Sequence, residues 1–406
     1  MPSESPEPAE PAAPADVQLG LWGRSGLKAA PSRQLVLFYI SLIFLGYAFS
    51  LFINGASGKL FKPRFTLPAL APGADPLTPL GWVVLVLDPM FLLATFRFLS
   101  CCLLVACMTA ARDTPLHTGV GEQGTAVRSD AMTLTWRAGV PILVGCTNAL
   151  GYLFYLALTS RGGVAIWSAL VGLYVVLPVS FGIFTRGEDR SSRKLLGIAV
   201  CVLASILLGW GEEVKEASAV PWYSNFFLYI TCISLWGVCD GLSAFMGRDL
   251  HLWWVALLTG LGFGLVALMC ALCSFIITGS EAHAGVAGSV NITTSTTSTS
   301  SSASQPSLIL SSGWGYALSA VAQVLGVAAW FTSVKLGVLA EASAFLPVIS
   351  LYTIGASLLA IPVLGETNLP PLYWVGVVFA VAGILLIAYS GKKEQGQLLE
   401  VSAAGS

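Results

Sequence analysis

Two ionisable side chains stand inside long apolar stretches of this sequence, where a charge is costly. Arg97 lies near the middle of one apolar run, and Asp240 lies toward the end of another. A guanidinium group in that position could bind an anionic part of a solute, or it could pair with a carboxylate or with helix-end carbonyls of the protein. The Asp240 carboxyl group is a candidate for proton coupling, and its alternative role is a cap near the membrane interface, facing Arg248 or Lys335.

Amide and aromatic side chains within other apolar runs form a second group of candidates. A buried amide needs hydrogen-bond partners, and lipid does not supply them. Asn148 and Gln323 fall in the third and eighth apolar runs, which predicts either a cavity lining or a hydrogen bond between helices. Together with Arg97, the candidates for solute binding are Asn148, Tyr152, Gln323, Trp330 and Tyr352.

Residue types that commonly carry catalysis or bind metals are not arranged for either task. The three histidines, His117, His251 and His283, are far apart, and no nucleophile elbow or phosphate-binding loop is present. The nine cysteines fall in apolar runs, without the spacing of a zinc site or a disulfide framework, and are expected to be free thiols packed between helices. We therefore predict no enzymatic activity, no cofactor and no metal site.

Ten apolar runs, each about long enough to cross a bilayer, must position the candidate side chains. Of the 406 residues, 55% are hydrophobic and only 10% are charged, whereas about a quarter of a soluble domain is charged. The net charge of −1 also argues against a nucleic-acid partner. Because lipid cannot satisfy free backbone groups, we predict an all-α integral membrane protein with ten transmembrane helices. These are expected at 35–54, 89–108, 139–158, 163–184, 194–210, 224–246, 252–278, 313–334, 338–363 and 370–389.

The basic residues indicate the side of the membrane on which each connection lies. If the N-terminus is cytoplasmic, 14 of the 20 Lys and Arg residues fall on the cytoplasmic side and 5 on the other side. The same orientation places the Ser/Thr-rich loop 279–312, with a glycosylation sequon at Asn291, outside or in a lumen. We therefore predict cytoplasmic termini in an endomembrane or the plasma membrane, with residues 1–33 as a disordered tail and 391–406 as a polar tail.

Two stretches of the sequence echo each other. The motif GVAIWSA begins at Gly163 and GVLAEASA begins at Gly337, and each is followed by an apolar run and then by a Gly-Glu turn, at Glu188 and at Glu366. Each turn joins the fourth and fifth apolar runs of its half. A carboxylate at a helix start can accept hydrogen bonds from free backbone N–H groups, so both glutamates are predicted to be structural.

The repeat divides the chain into two five-helix units, residues 34–216 and 217–390. Because five is odd, the second unit enters the membrane inverted, as in many secondary transporters. With its small-residue helix openings, the LPV triplet at 346–348, and Gly197 and Gly376 in the following helices, the sequence resembles the EamA-like, ten-helix branch of the drug/metabolite transporter superfamily. The resemblance implies a 5+5 inverted bundle whose central cavity is lined mainly by the first four helices of each half.

These observations predict a secondary transporter that moves a small metabolite-like solute by alternating access. No ATP-binding site is encoded, so solute exchange or a gradient of protons or other ions would drive it. Its partners would be the solute and the lipid bilayer, and both a monomer and a homodimer remain open. The competing hypothesis is a non-transporting membrane protein, such as a receptor-like or assembly subunit built on a decayed carrier fold.

Overall fold

Helices form every regular element in the part of the chain that the structure describes. The computed structural model describes residues 33–60, 83, 86–111, 136–185, 191–216, 222–246, 252–284, 314–335 and 351–390. Its regular elements in these ranges are eleven α-helices and one 3-10 helix. The prediction of an all-α chain is therefore confirmed for these ranges.

The helices are numbered here in chain order. They are α1 (Arg33–Leu60), α2 (Leu87–Ala110), α3 (Trp136–Arg161), α4 (Val164–Val171), α5 (Val176–Thr185), α6 (Ser192–Glu216), α7 (Trp222–Met246), α8 (Leu252–Ala284), α9 (Trp314–Lys335), α10 (Tyr352–Leu364) and α11 (Pro371–Ser390). The 3-10 helix, Gly172–Val175, joins α4 to α5.

Five helices contain an apolar stretch long enough to cross a membrane. These stretches are Leu37–Leu60, Leu87–Ala110, Gly139–Ser160, Asn225–Ser243 and Leu252–Ile276. Large apolar side chains on the outer surface of the bundle, such as Leu103, Phe227 and Phe275, are exposed. An apolar surface of this extent is unfavourable in water and suits lipid, so the helices indicate a membrane-embedded protein.

Helix pairing in the bundle joins helices that are far apart in the sequence. Helix α11 packs along α6, α2 along α8, and α1 along α9, while α3 packs against both α7 and α8, and α4 contacts α10. Between α6 and α11 a Cβ atom on Gly383 would lie 2.9 Å from the carbonyl oxygen of Gly197 and 2.6 Å from Sγ of Cys201. Such close contact is typical of small residues at helix interfaces within membranes.

The fourth predicted span is not one continuous α-helix, which corrects the expected single helix at 163–184. It consists of α4, the 3-10 helix and α5 in succession. Pro178 lies in the first turn of α5 and has no backbone N–H, so it cannot donate to a carbonyl one turn earlier. The tighter 3-10 segment lies directly before α5, and a 3-10 segment within a longer helix often marks a functional hinge.

Several other helix limits differ from the predicted ones. Helices α1, α6 and α8 each end six residues beyond the predicted limit, at Leu60, Glu216 and Ala284, so the first residues of the predicted loop 279–312 are helical. Helix α2 begins at Leu87, two residues before the predicted start at Pro89. Proline is tolerated there because the first-turn N–H groups have no partner within the helix. The start of the ninth predicted span, 338–363, lies outside the described residues, which resume in this region at 351.

Candidate functional site

Arg97 lies on α2 in the interior of the bundle, and its side chain is only 2% exposed. The guanidinium carbon lies 3.8 Å from the ring centroid of Tyr152 on α3 and 5.3 Å from that of Phe263 on α8. Aromatic faces attract a cation through the quadrupole of the ring, and the attraction is stronger where water is excluded. These contacts hold the guanidinium group in place without neutralising its charge.

A polar network from α1 and α9 contacts the same guanidinium group. Nη2 of Arg97 donates to Oγ of Ser50 at 3.3 Å. Oγ of Ser50 lies 3.1 Å from Oγ of Ser319 and can donate to Oε1 of Gln323 at 3.4 Å. Ser319 also donates to the backbone carbonyl of Ser50 at 3.2 Å. We call Ser50, Arg97, Tyr152, Phe263, Ser319 and Gln323 the arginine cluster.

The other nitrogens of Arg97 remain without protein partners among the described residues. Nε and Nη1 are buried and donate no hydrogen bond, and no carboxylate in the described part of the chain forms an ion pair with the group. The guanidinium therefore retains three N–H donors and a full positive charge. Donors in this planar arrangement match the geometry of a carboxylate or another oxyanion.

A second cluster surrounds Asp240, which is half-buried on α7. The hydroxyl group of Tyr174, in the 3-10 helix, is in hydrogen-bonding contact with the Asp240 carboxyl group and with Tyr352 on α10. The rings of Tyr352 and Tyr47 on α1 lie 5.3 Å apart. We call Tyr47, Tyr174, Asp240 and Tyr352 the tyrosine cluster. Trp236 on α7 contacts Tyr152 of the arginine cluster and Tyr174 of the tyrosine cluster, so the two clusters are neighbours.

An aromatic wall runs from the arginine cluster toward α7. The ring of Trp236 on α7 lies 4.8 Å from that of Tyr152, 5.8 Å from that of Tyr155 and 6.1 Å from that of Tyr174. Nε1 of Trp236 donates to the backbone carbonyl of Asn148 at 3.3 Å. Asn148 is itself half-buried, one helical turn before Tyr152 on the same side of α3. The wall provides stacking and apolar surface beside the charged groups.

Glu366, in the turn between α10 and α11, bonds a helix start in the other half of the chain. Its carboxylate accepts hydrogen bonds from the backbone N–H groups of Val164, at 3.0 Å, and Ala165, at 2.8 Å, in the first turn of α4. Nζ of Lys59, at the end of α1, lies 2.7 Å from Oε1 of the same carboxylate. The turn itself requires Gly365, whose φ of +68° is unfavourable for residues with a Cβ atom. Three distant segments thus meet at one end of the bundle.

The structure brings together four of the six predicted solute-binding residues in two adjoining clusters: Arg97, Tyr152, Gln323 and Tyr352. Glu188 and Asn291 lie outside the described residues, as does the side chain of Trp330.

Sequence reasoning missed several residues of the site. Ser319, Phe263 and Trp236 contact the cluster residues, yet each lies in an apolar run where serine and aromatic side chains are common. Spacing along α9 could have identified Ser319, since it lies one turn from Gln323 on the same face. Phe263 and Trp236 carry no such signal.

Metal binding has no support in the described part of the chain. No group of three or more His, Cys, Asp or Glu side chains is placed to hold an ion there. The nine cysteines are free thiols.

A scan of protein-family models and a search of curated proteins matched this chain to no family and to no relative.

Proposed function

We propose that this protein is a secondary transporter that moves a small solute with an anionic group across a membrane by alternating access. The chain would cross the membrane ten times with both termini in the cytoplasm, as the distribution of basic residues favours. The membrane would be an endomembrane or the plasma membrane. The solute would bind at the arginine and tyrosine clusters, between the two halves.

The observation that carries this proposal is the state of Arg97. Its guanidinium group is buried with a full charge, two nitrogens that lack protein partners, and no carboxylate partner among the described residues. A purely structural arginine would be expected to have its donors satisfied, because an unpaired buried charge is strongly destabilising. An anionic solute that binds between the aromatic side chains would satisfy both the charge and the donors.

Helix pairing supports the proposed 5+5 inverted repeat. The repeat would relate α1 to α7, α2 to α8, α3 to α9, α4 and α5 to α10, and α6 to α11. Under that relation, the observed pairs α2–α8, α4–α10 and α6–α11 map onto themselves, and the pair α1–α9 maps onto α7–α3. A bundle with this symmetry would place a solute site between the halves, as in other inverted-repeat carriers. It is also the arrangement implied by the resemblance to the drug/metabolite transporter superfamily.

Asp240 is the proposed site of proton coupling. It lies on α7, the first helix of the second half, and contacts Tyr174 at the break in the fourth span. Discontinuous helices near the centre of the membrane form solute and ion sites in many carriers. The carboxyl group is close to the arginine cluster, so its protonation can affect how a charged solute binds.

Uptake into proteoliposomes tests the proposal directly. The purified chain would be reconstituted and offered a radiolabelled panel of monocarboxylates, zwitterionic amino acids and phosphorylated sugars, with and without a pH gradient. We expect time-dependent, saturable accumulation of at least one anionic compound, and a rise in the thermal midpoint of the purified protein with the same compound. Binding without flux would favour the receptor-like alternative, and neither binding nor flux with any compound would refute an anion site.

A further inference from the structure

A stripe of polar side chains runs along α1 from the arginine cluster toward Lys59. Ser50, Asn54 and Ser57 are spaced four and three residues apart, so they lie on one face of the helix. All three side chains are 0% exposed. A polar face buried in the interior of a membrane bundle suggests a hydrophilic path rather than a packing surface.

This face of α1 lies against α9. A Cβ atom on Gly46 would lie 2.7 Å from the carbonyl oxygen of Ala322 and 3.0 Å from Cα of Gly326. One turn further along α1, Ser50 meets Ser319 and Gln323. As residue numbers rise on α1 they fall on α9, so the helices are antiparallel and this register puts Asn54 opposite residues 315–319. We call this interface, from Ser50 to Ser57, the α1–α9 seam.

The polar groups between Ser50 and the Lys59 end of the seam lack partners in the described part of the chain. Nδ2 and Oδ1 of Asn54 and Oγ of Ser57 are buried without a hydrogen-bond partner among the described residues. Burying such groups unpaired costs free energy, and that cost disappears when water or a polar solute enters.

A charged contact closes the end of the seam. Lys59 follows Ser57 by two residues, and its Nζ contacts the Glu366 carboxylate that also accepts the N–H groups at the start of α4. The Glu366 side chain is 9% exposed and that of Lys59 is 37% exposed. This contact ties the end of α1 to the α10–α11 turn.

We infer that the α1–α9 seam is the closed half of the path between Arg97 and this end of the bundle, and that the Lys59–Glu366 contact holds it shut. The inference rests on the proposed transport function. In the open state α1 and α9 separate, Asn54 and Ser57 are hydrated, and the solute reaches Arg97 along them.

Thiol labelling of the full chain in lipid nanodiscs tests this inference. Asn54→Cys and Ser57→Cys would be treated with a membrane-impermeant, permanently charged thiol reagent, and modification at each position would be measured by peptide mass spectrometry. Ala56→Cys is the matched control, because Ala56 is equally buried at a similar depth, and at about 100° per residue its side chain points away from the face that Asn54 and Ser57 share. We expect labelling at residues 54 and 57 above the background at residue 56.

The contact at Lys59 is tested in the same backgrounds. Lys59→Gln removes the ion pair while Glu366 still bonds α4, and we expect it to speed labelling at residues 54 and 57 about 1.5- to 5-fold, the range for a partly exposed pair. Lys59→Arg keeps the charge and should leave the rates unchanged. Unchanged rates in Lys59→Gln, or a parallel rise at residue 56, would overturn the inference.

The outcome is separable from that of the transport proposal. Solute flux with no labelling at residues 54 and 57 would refute the seam as the path and leave the transport function standing. Labelling as expected in a protein that moves none of the offered compounds would refute the transport proposal, and with it the role of the seam as a solute path.

Discussion

At the scale of single residues, the proposed anion site depends on the environment of Arg97. Tyr152 and Phe263 contact the guanidinium group and Ser50 accepts from one nitrogen, while the other two nitrogens are left to donate elsewhere. A lysine would supply charge without the planar set of donors. The identity of the residue therefore matters as much as its charge.

Substitution of Arg97 should reduce transport without unfolding the protein. We expect Arg97→Lys to lower solute uptake about 10- to 100-fold, the effect of losing a charged hydrogen bond. Uptake assays and thermal midpoints would be measured for this variant and for Arg193→Lys, which alters an exposed arginine on α6. If Arg97→Lys and Arg97→Ala both misfold, Arg97 is structural and the anion site is wrong.

Asp240→Asn should separate two modes of transport. We expect it to abolish uptake driven by a pH difference but to leave solute exchange at equal pH largely intact, since exchange requires no net proton movement. Asp88→Asn is the control, because Asp88 is a half-buried carboxyl group at the start of α2, where it accepts from Ser274 at 3.1 Å. Accumulation by Asp240→Asn under a pH difference alone would rule Asp240 out as the coupling group. Loss of both modes in a folded variant would indicate a role in solute binding or helix packing.

At the scale of helices, two kinds of feature position the clusters. One is the 3-10 segment between α4 and α5, and the other is the close contact between helices at glycine residues. The 3-10 helix positions Tyr174 beside Asp240, and Gly172 at its start lies so close to Thr353 of α10 that no side chain fits between them. The break therefore lies against α10, which also carries Tyr352, so a shift of α10 would move the tyrosine cluster.

Close packing of α6 and α11 should make their glycines intolerant of a methyl group. For Gly383→Ala we expect a loss of about 1–3 kcal/mol of stability, because the new Cβ would meet Cys201 and the backbone of Gly197. Gly139→Ala is the matched control, since its Cβ would meet nothing within 4 Å, and alanine favours a helix. A thermal midpoint for Gly383→Ala equal to that of the parent would contradict the observed packing.

The helices were predictable from the sequence because they coincide with long apolar runs, and five of them contain a stretch long enough to cross a membrane. The break before Pro178 was not, because a proline near a helix start and one inside a helix look the same in sequence. The positions of Arg97 and Asp240 within apolar helices were predictable, because a charged residue in an apolar run is rare and easily recognised. The partners of Glu366 were not, since Lys59 and Val164 come from another half of the chain and nothing in the local pattern specifies them.

At the scale of the whole molecule, one end of the bundle is tied together by charge. The end of α1, the start of α4 and the α10–α11 turn meet at Glu366. The predicted topology places these segments on one side of the membrane, as their contact requires, and the distribution of basic residues predicts that this is the non-cytoplasmic side. The orientation itself needs a direct measurement.

Site-directed labelling provides that measurement. We expect an impermeant probe added to intact cells or sealed vesicles to reach a cysteine at residue 300 from the face opposite to both tails, because 14 of the 20 basic residues favour cytoplasmic termini. An Asn291→Gln variant gives an independent readout, since it should lose any glycan carried by the parent. Labelling of residue 300 and the C-terminal tail from the same face would refute ten membrane crossings.

The packing of α11 on α6 also has a consequence for biosynthesis, because the two helices are synthesised at different times. Helix α11 packs chiefly on α6, and it is the last described helix to leave the ribosome. At ordinary translation rates, the roughly 150 residues between them take about 8–30 s to make. During that interval α11 does not yet cover the surface of α6 around Gly197 and Cys201, so this surface is accessible to membrane chaperones or proteases. A nascent chain that stops before Pro371 would keep that surface uncovered.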